Sequence, residues 1–267
     1  MESVQTGALC VAVLGLGEAG GAIAADLVAT GVQVRGYDPA KAAPPGVLDT
    51  GSEDEAVRGS DLVLSVNSSS AAVEALRAGL GGAGPSMLWA DLNTASPDTK
   101  RRLDEICAAA GLEFVDVSLM APVPGRGLRT PMLTSGGGAG RYAGLLTPLG
   151  AQVEVMDGPA GLAAERKLLR SVFFKGLAAA VVEALAAGRA AGCEDWLRDN
   201  IADELTRASS ATVERLVEGT HRHAVRRAAE MQAAADMLTS LDVPPRMSLA
   251  SRDLLQELAR KTVHPEQ

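Results

Sequence analysis

Gly15, Gly17 and Gly20, in the run GLGEAG, are spaced as a phosphate-binding turn between a strand and a helix. Gly15 permits the tight turn out of the strand, and Gly17 has no side chain to hold a pyrophosphate off the backbone. Gly20 lets the helix pack closely on that strand, while the first peptide N–H groups of the helix point at the phosphates. Leu16, Glu18 and Ala19 complete the turn. Asp38 ends the following segment, QVRGYD, where its carboxylate can accept hydrogen bonds from both ribose hydroxyls of an adenosine and repel a 2′-phosphate. This pattern calls for an adenine dinucleotide, with NAD preferred over NADP. A second group lies far along the chain: Lys167, Ser171 and Lys175 recur four residues apart and line one edge of a helix. A lysine on an apolar helix can shed part of its charge and exchange protons at about pH 7 to 8. On spacing alone, a lysine that snorkels from the helix edge is the commoner outcome.

The elements that must carry these residues alternate. The apolar run ALCVAVL precedes the glycines, and AGGAIAADLVATG follows as a helix. Then come a short acidic helix at 52–58, a strand at 62–66, a helix from Ser70, a strand at 87–90, a helix at 96–110 and a strand at 114–117. Strands alternating with helices imply a Rossmann-type, doubly wound parallel sheet. Residues 131–135, a helix at 140–149 and a strand at 152–155 complete it. From Gly161 the pattern turns helical: one long segment to about Ala187, then 195–219, 222–240 and, after Pro244 and Pro245, 248–261. The expected division is a dinucleotide-binding domain at 1–157 and an all-α domain at 158–267.

Ligands bind such sheets at the carboxyl ends of the strands. Val66 and Asn67 follow one strand, Asn93 and Thr94 another, and the Pro- and Gly-rich stretch 116–131 follows a third as a binding loop containing Ser118, Met120, Pro122, Val123, Gly125 and Arg126. A methyltransferase binding S-adenosylmethionine also places an acid after its second strand, but its glycines are usually spaced more tightly. In the helical half, THRHAVRRAAEM sets His223 and Arg227 as helical neighbours and Arg226 within reach of Glu230; a solvated or dimer-facing basic patch is the plainer reading than an anion clamp.

Composition narrows the class. Of 267 residues 47% are hydrophobic and only 3% aromatic, so Ala, Leu and Val must fill the core. The net charge of -8 is concentrated before residue 158, and without a basic stripe the chain is a poor nucleic-acid binder. Three scattered cysteines, Cys10, Cys107 and Cys193, show no metal spacing and read as reduced thiols, and the run of apolar residues nowhere approaches ~18. A cytoplasmic protein with no metal and no membrane partner is expected.

The order GLGEAG, DLNTASP, MAPVPGRG, GPAGLAAERK resembles the β-hydroxyacid dehydrogenase family, which includes 3-hydroxyisobutyrate and 6-phosphogluconate dehydrogenases. The likeness spans nearly the whole chain. It implies an N-terminal NAD(P) domain, a helical C-terminal domain through which members form dimers or tetramers, and a small anionic hydroxy acid as substrate. By this resemblance Lys167, nine residues after Gly158, matches the catalytic lysine. Asn67 and Thr94 fall near the nicotinamide, and Pro122, Val123 and Gly125 match the substrate loop. Pro124 stands where the family loop has a serine, Arg126 where it has a glycine, Ala163 where the lysine motif has a glycine, and Ser171 where it has an asparagine. These departures resemble a less characterised branch labelled phosphogluconate dehydrogenase NAD-binding-like. Arg126 is then the candidate clamp for the acid group; Lys175 and His223 are further candidates for substrate contact. Imine reductases share the scaffold, many with Asp or Tyr at the position of Lys167; a non-catalytic NAD-binding protein is the reading from another class.

Overall fold

The computed structural model describes residues 9–263. β1 (Cys10–Leu14) leads through the glycine turn into α1 (Glu18–Ala29) and β2 (Gln33–Tyr37). There follow β3 (Leu48–Asp49), α2 (Glu53–Val57), β4 (Leu62–Ser65), α3 (Ala72–Gly79), β5 (Leu88–Asp91), α4 (Pro97–Ala109), β6 (Glu113–Leu119), β7 (Met132–Ser135), α5 (Ala139–Leu146) and β8 (Val153–Val155). They form one eight-stranded sheet in the order β3-β2-β1-β4-β5-β6-β7-β8. Order reverses beside β1, the switch point at which such sheets open a crevice for ligands.

Helices cover both faces, which is why the central strands are apolar at every position rather than at alternate ones. On β1, Val11 and Val13 pack with Ile23, Leu27 and Tyr142 on one face, while Ala12 and Leu14 pack with Trp89, Leu103 and Phe114 on the other. All pairings are parallel except β6 with β7. The connection 120–131 holds no crossover helix, and without one the strand must return antiparallel. The sheet is thus parallel as expected except at this one pairing. The two-residue β3 carries no sequence signal of its own.

The long helix α6 (Leu162–Ala190) is followed by α7 (Glu194–Thr206), α8 (Ser210–Arg222), α9 (Ala224–Ser240) and α10 (Arg246–Val263). The expected single helix at 195–219 is two helices, because Ser209 starts a new one: its hydroxyl and that of Thr212 cap each other's backbone N–H groups. The chain divides into two compact units at Arg170/Ser171, inside α6, and not at 157/158. The reason is that the first turn of α6 belongs to the sheet: Ala163 and Ala164 are buried, and their N–H groups are bonded to Ser135 and Asp116.

In the second unit α9 and α10 pack through Ala224, Ala228, Ala235, Leu238 and Leu255. Glu183 of α6 accepts hydrogen bonds from the N–H groups of Met247 and Ser248 at 2.7 and 2.8 Å and so anchors the start of α10. Large apolar side chains stay uncovered on α6: Val172 is 75% exposed, Phe173 59% and Val182 69%. Among the described residues, α6 is the one helix long and apolar enough to cross a membrane by length and composition, with a mean hydropathy of 1.5. Arg170, Lys175 and Glu183 interrupt it, so it contains no unbroken apolar run approaching ~18 residues.

Candidate active site

The parallel strands β1, β4 and β5 end side by side, which brings Gly15, Val66, Asn67, Asn93 and Thr94 to one edge of the sheet. Gly15 has a φ of +91°, and a Cβ there would lie 2.6 Å from the Val66 carbonyl oxygen. Gly20 is still more constrained, since a Cβ would meet the Gly15 carbonyl oxygen at 1.9 Å. Gly17 is the opposite case: a Cβ there meets no heavy atom within 4 Å. It is also the N-cap of α1 and offers no side chain to satisfy the first N–H groups. Open space above unsatisfied donors at the positive end of a helix suits a pyrophosphate, so the residues present fit an adenine dinucleotide. Glu18 is exposed in the first turn of α1, and Ala19 is half-buried beside it.

Asp38 follows β2, as expected, but is not idle. Its Oδ2 accepts the Leu16 N–H at 2.8 Å, and its Oδ1 accepts the N–H groups of Ala40 and Lys41 at 2.8 and 3.0 Å. The carboxylate therefore ties the phosphate turn to the end of β2 in addition to any contact with a ribose.

Lys167 lies on the second turn of α6, half-buried, and its Nζ donates to the Thr94 hydroxyl at 2.8 Å. The lysine and the loop after β5, distant in sequence, are thus in direct contact. Desolvation holds the Lys167 ammonium below its ordinary pKa, and the nearby positive charges of Lys100 and Arg170 push the same way against Asp116. An amine so placed is a proton acceptor at lower pH than a surface lysine.

The loop residues fall into two groups. Pro122, Gly125 and Arg126 are exposed, and the Arg126 guanidinium touches only the Pro122 carbonyl, at 3.4 Å, among the contacts described. Ser118 and Val123 are instead buried, at 3% and 5% exposure, and the Val123 carbonyl anchors the loop by accepting the N–H groups of Arg126 and Gly127. Asp26 of α1 anchors it too, its Oδ2 accepting the Leu128 N–H at 2.8 Å. Met120 lines a cavity of about 720 Å³ with Met132, Met156, Glu154 and Arg166 at the β7–β8 edge. Ser171, Lys175 and His223 belong to the second unit; Lys175 and His223 are exposed, and His223 is the junction between α8 and α9. Arg226 pairs with Glu230 on an exposed face, the plainer of its two expected roles.

Sequence reading missed a buried polar row. Ser65, Asp91, Asp116 and Ser135 are successive register partners across β4 to β7, all with no exposed surface. Lys100 of α4 reaches into that row, equally buried, with Nζ 2.6 Å from Asp91 Oδ1 and 3.1 Å from Asp116 Oδ1. One signal was available: Lys100 shares the inward stripe of α4 with Leu103 and Cys107.

Residues 10–129 match the family profile described as the NAD binding domain of 6-phosphogluconate dehydrogenase, and 189–258 match a domain of unknown function, DUF1932. A 3-hydroxyisobutyrate dehydrogenase from Pseudomonas aeruginosa is 31% identical over 191 residues, 67% of this chain and 63% of that protein. The chain thus matches somewhat less than two thirds of that relative's length. Among solved structures, a conserved protein of unknown function, described as similar to 3-hydroxyacid dehydrogenases, is 25% identical with a TM-score of 0.60, covering 95% of this chain and 99% of that one. An imine reductase from Myxococcus stipitatus in complex with NADP+ has a TM-score of 0.80 at 18% identity, covering 94% of both chains, a likeness of fold. With an NAD(P)-binding profile across the glycine turn and its sheet, a DUF1932 segment in the helical half, and 3-hydroxyisobutyrate dehydrogenases among its relatives, the chain belongs to the β-hydroxyacid dehydrogenase family.

Proposed function

We propose that this protein is an NAD-dependent dehydrogenase of a small anionic hydroxy acid, with Lys167 as its general acid and base. The observation that carries the reading is Lys167 Nζ held 2.8 Å from Thr94 at the sheet edge that also bears the glycine turn. A bound nicotinamide supplies the exchange of hydride with the substrate carbon. The chain's own work is positional and protonic. Neutral Lys167 takes the proton of the substrate hydroxyl at Nζ, and in the reverse direction its ammonium form returns a proton to the carbonyl oxygen. The Thr94 hydroxyl orients the amine. Arg126 holds the substrate's acid group by two parallel hydrogen bonds, a task its exposed guanidinium is free to perform. On the cofactor side, buried Asn93 has a side-chain oxygen with no partner and can accept a donor from a ligand there.

Asp38 supports the preference for NAD, since a carboxylate at the end of β2 repels a 2′-phosphate. Asp38→Ala should weaken both nucleotides by loosening Leu16, and NAD more than NADP, shifting the affinity ratio by about tenfold, one charge interaction of ~1.4 kcal/mol. Fluorescence titration with NADH and NADPH reads the ratio, and an unchanged ratio removes Asp38 as the discriminator.

The uncovered face of α6 supports a homodimer through the helical unit in a cytoplasmic protein. Glu183 of α6, which accepts from the N–H groups of Met247 and Ser248 at the start of α10, argues against a bilayer as the cover. Val172→Glu should convert dimer to monomer in sedimentation velocity, and a wild-type monomer would overturn this assignment. The test of the whole reading is NADH binding followed by a screen of hydroxy acids at the nicotinamide absorbance. Selective binding with turnover supports it. Turnover of imines alone, or binding without turnover, replaces it with the reductase or the non-catalytic reading.

A further inference from the structure

Two carboxylates and one ammonium lie wholly buried beneath the contact between Lys167 and Thr94. Asp91 ends β5 and Asp116 is its register partner on β6, so both side chains leave the same face of the sheet. Lys100 donates to the Asp91 backbone oxygen at 2.7 Å and to Asp91 Oδ1 at 2.6 Å. Its approach to Asp116 Oδ1, at 3.1 Å, is an ion-pair contact outside hydrogen-bond alignment. A single ammonium does not neutralise two carboxylates, and the remainder is met by backbone. Asp116 Oδ2 accepts the N–H groups of Gly161 and Ala164 at 3.1 and 2.9 Å, which places a negative charge on the positive end of α6. Ser135 extends the cap, accepting the Ala163 N–H at 3.0 Å. On the other side Asp91 Oδ2 accepts from Asn93 Nδ2 at 2.6 Å, and the same Nδ2 reaches Ser65 Oγ at 3.1 Å.

The network therefore joins two things that sequence separates: the loop carrying Asn93 and Thr94, and the first turn of the helix carrying Lys167. Close backbone packing confirms the joint, because a Cβ on Gly161 would lie 2.9 Å from the Pro97 carbonyl oxygen at the start of α4. We propose that Lys100 is a positioning residue for Lys167: through Asp91 and Asp116 it locks the start of α6 against the loop after β5. The charged groups facing Lys167 are Lys100 from α4, Asp116 from β6 and Arg170 from α6 itself. Lys100 and Arg170 favour the neutral amine, and Asp116 opposes them. A base made available in this way by a buried cation is more than a stabilising ion pair.

This inference rests on the reading of Lys167 as the proton-transfer group, but its test requires no substrate. The chain has five lysines, of which Lys41, Lys175 and Lys261 are exposed and serve as internal references. Competitive labelling of amines with acetic anhydride over a pH series, read by mass spectrometry, gives the pH of half-maximal reaction for Lys167. Normalising to the high-pH plateau removes differences of access. Lys100→Met removes a repelling charge, so the Lys167 midpoint moves to higher pH and its normalised reactivity near neutrality falls about threefold or more. Asp116→Asn removes an attracting charge in an isosteric side chain, so the midpoint moves to lower pH. Opposite displacements with unmoved references support the proposal; a loosened helix would displace both variants alike. If Lys100→Met does not fold, Asp116→Asn alone decides: a lower midpoint supports the electrostatic role, and an unchanged or higher one overturns it. Failure of the hydroxy-acid screen with the displacements intact would remove the catalytic reading and leave the coupling. Turnover with no displacement would do the reverse.

Discussion

Lys167→Ala is expected to lower turnover of the hydroxy acid by about 10²–10⁴-fold while leaving the affinity for NADH nearly unchanged. The asymmetry follows from where the residue stands. On the proposed reading the glycine turn, the N-terminus of α1 and Asp38 would hold the adenosine and phosphate half, and none of them contacts Lys167 in the hydrogen bonds described. Loss of the amine leaves Thr94 Oγ1 without its 2.8 Å donor but leaves the phosphate turn intact. The pH profile provides a second reading. In the oxidative direction the active form is the neutral amine, so kcat/KM rises with pH and levels off above the Lys167 pKa. Burial, with Lys100 and Arg170, holds that pKa below a surface lysine's, so the plateau arrives at lower pH than an exposed lysine would give. In the reductive direction the ammonium form is required and the rate falls over the same range. A Lys167→Ala variant with full turnover, or one that loses NADH binding in proportion, would remove the residue from the chemistry.

The cofactor half of this architecture was legible because its chemistry is local. Three glycines, the strand before them, the helix after them and an acid at the next strand end lie within Cys10–Asp38, and steric necessity dictates Gly15 and Gly20, the latter tolerating no Cβ at all, while Gly17 keeps open space. The proposed proton-transfer group was singled out only by resemblance. Helical spacing put Lys167, Ser171 and Lys175 on one edge and favoured a snorkelling role; the contact with Thr94 comes from a fold that closes 73 residues of chain. Least visible was the polar row. Asp91 ends β5, where an acid is common at a sheet edge, while Asp116 is the central residue of β6, and nothing local says that they are register partners or that a lysine on a helix lies between them. The unit boundary was misplaced for a related reason. Composition changes at Gly158, but the helix that follows uses its first turn to cap Asp116 and so belongs to the sheet until Arg170.

Lys100→Met should destabilise the fold by about 3–5 kcal/mol, the cost of leaving a buried charge without its partner. The value is large because all three members have no exposed side-chain surface, so no water replaces the lost ammonium. Surface pairs of the same chain, such as Arg226 with Glu230, should contribute under ~1 kcal/mol by comparison. The size of the loss alone does not identify its origin, since a cavity or a misfit methionine also costs stability. A double-mutant cycle does. If the penalty comes from unpaired charge, Lys100→Met combined with Asp91→Asn removes one of the two stranded carboxylates and recovers part of the loss. If it comes from packing, the second substitution adds its own penalty. Urea denaturation of wild type, both single variants and the double variant measures all four corners. A Lys100→Met loss below ~1 kcal/mol, or strictly additive penalties, would show that the buried ammonium is not what holds Asp91 and Asp116 together. Recovery in the double variant would fix the charge balance of the row as the constraint under which the helix carrying Lys167 is seated.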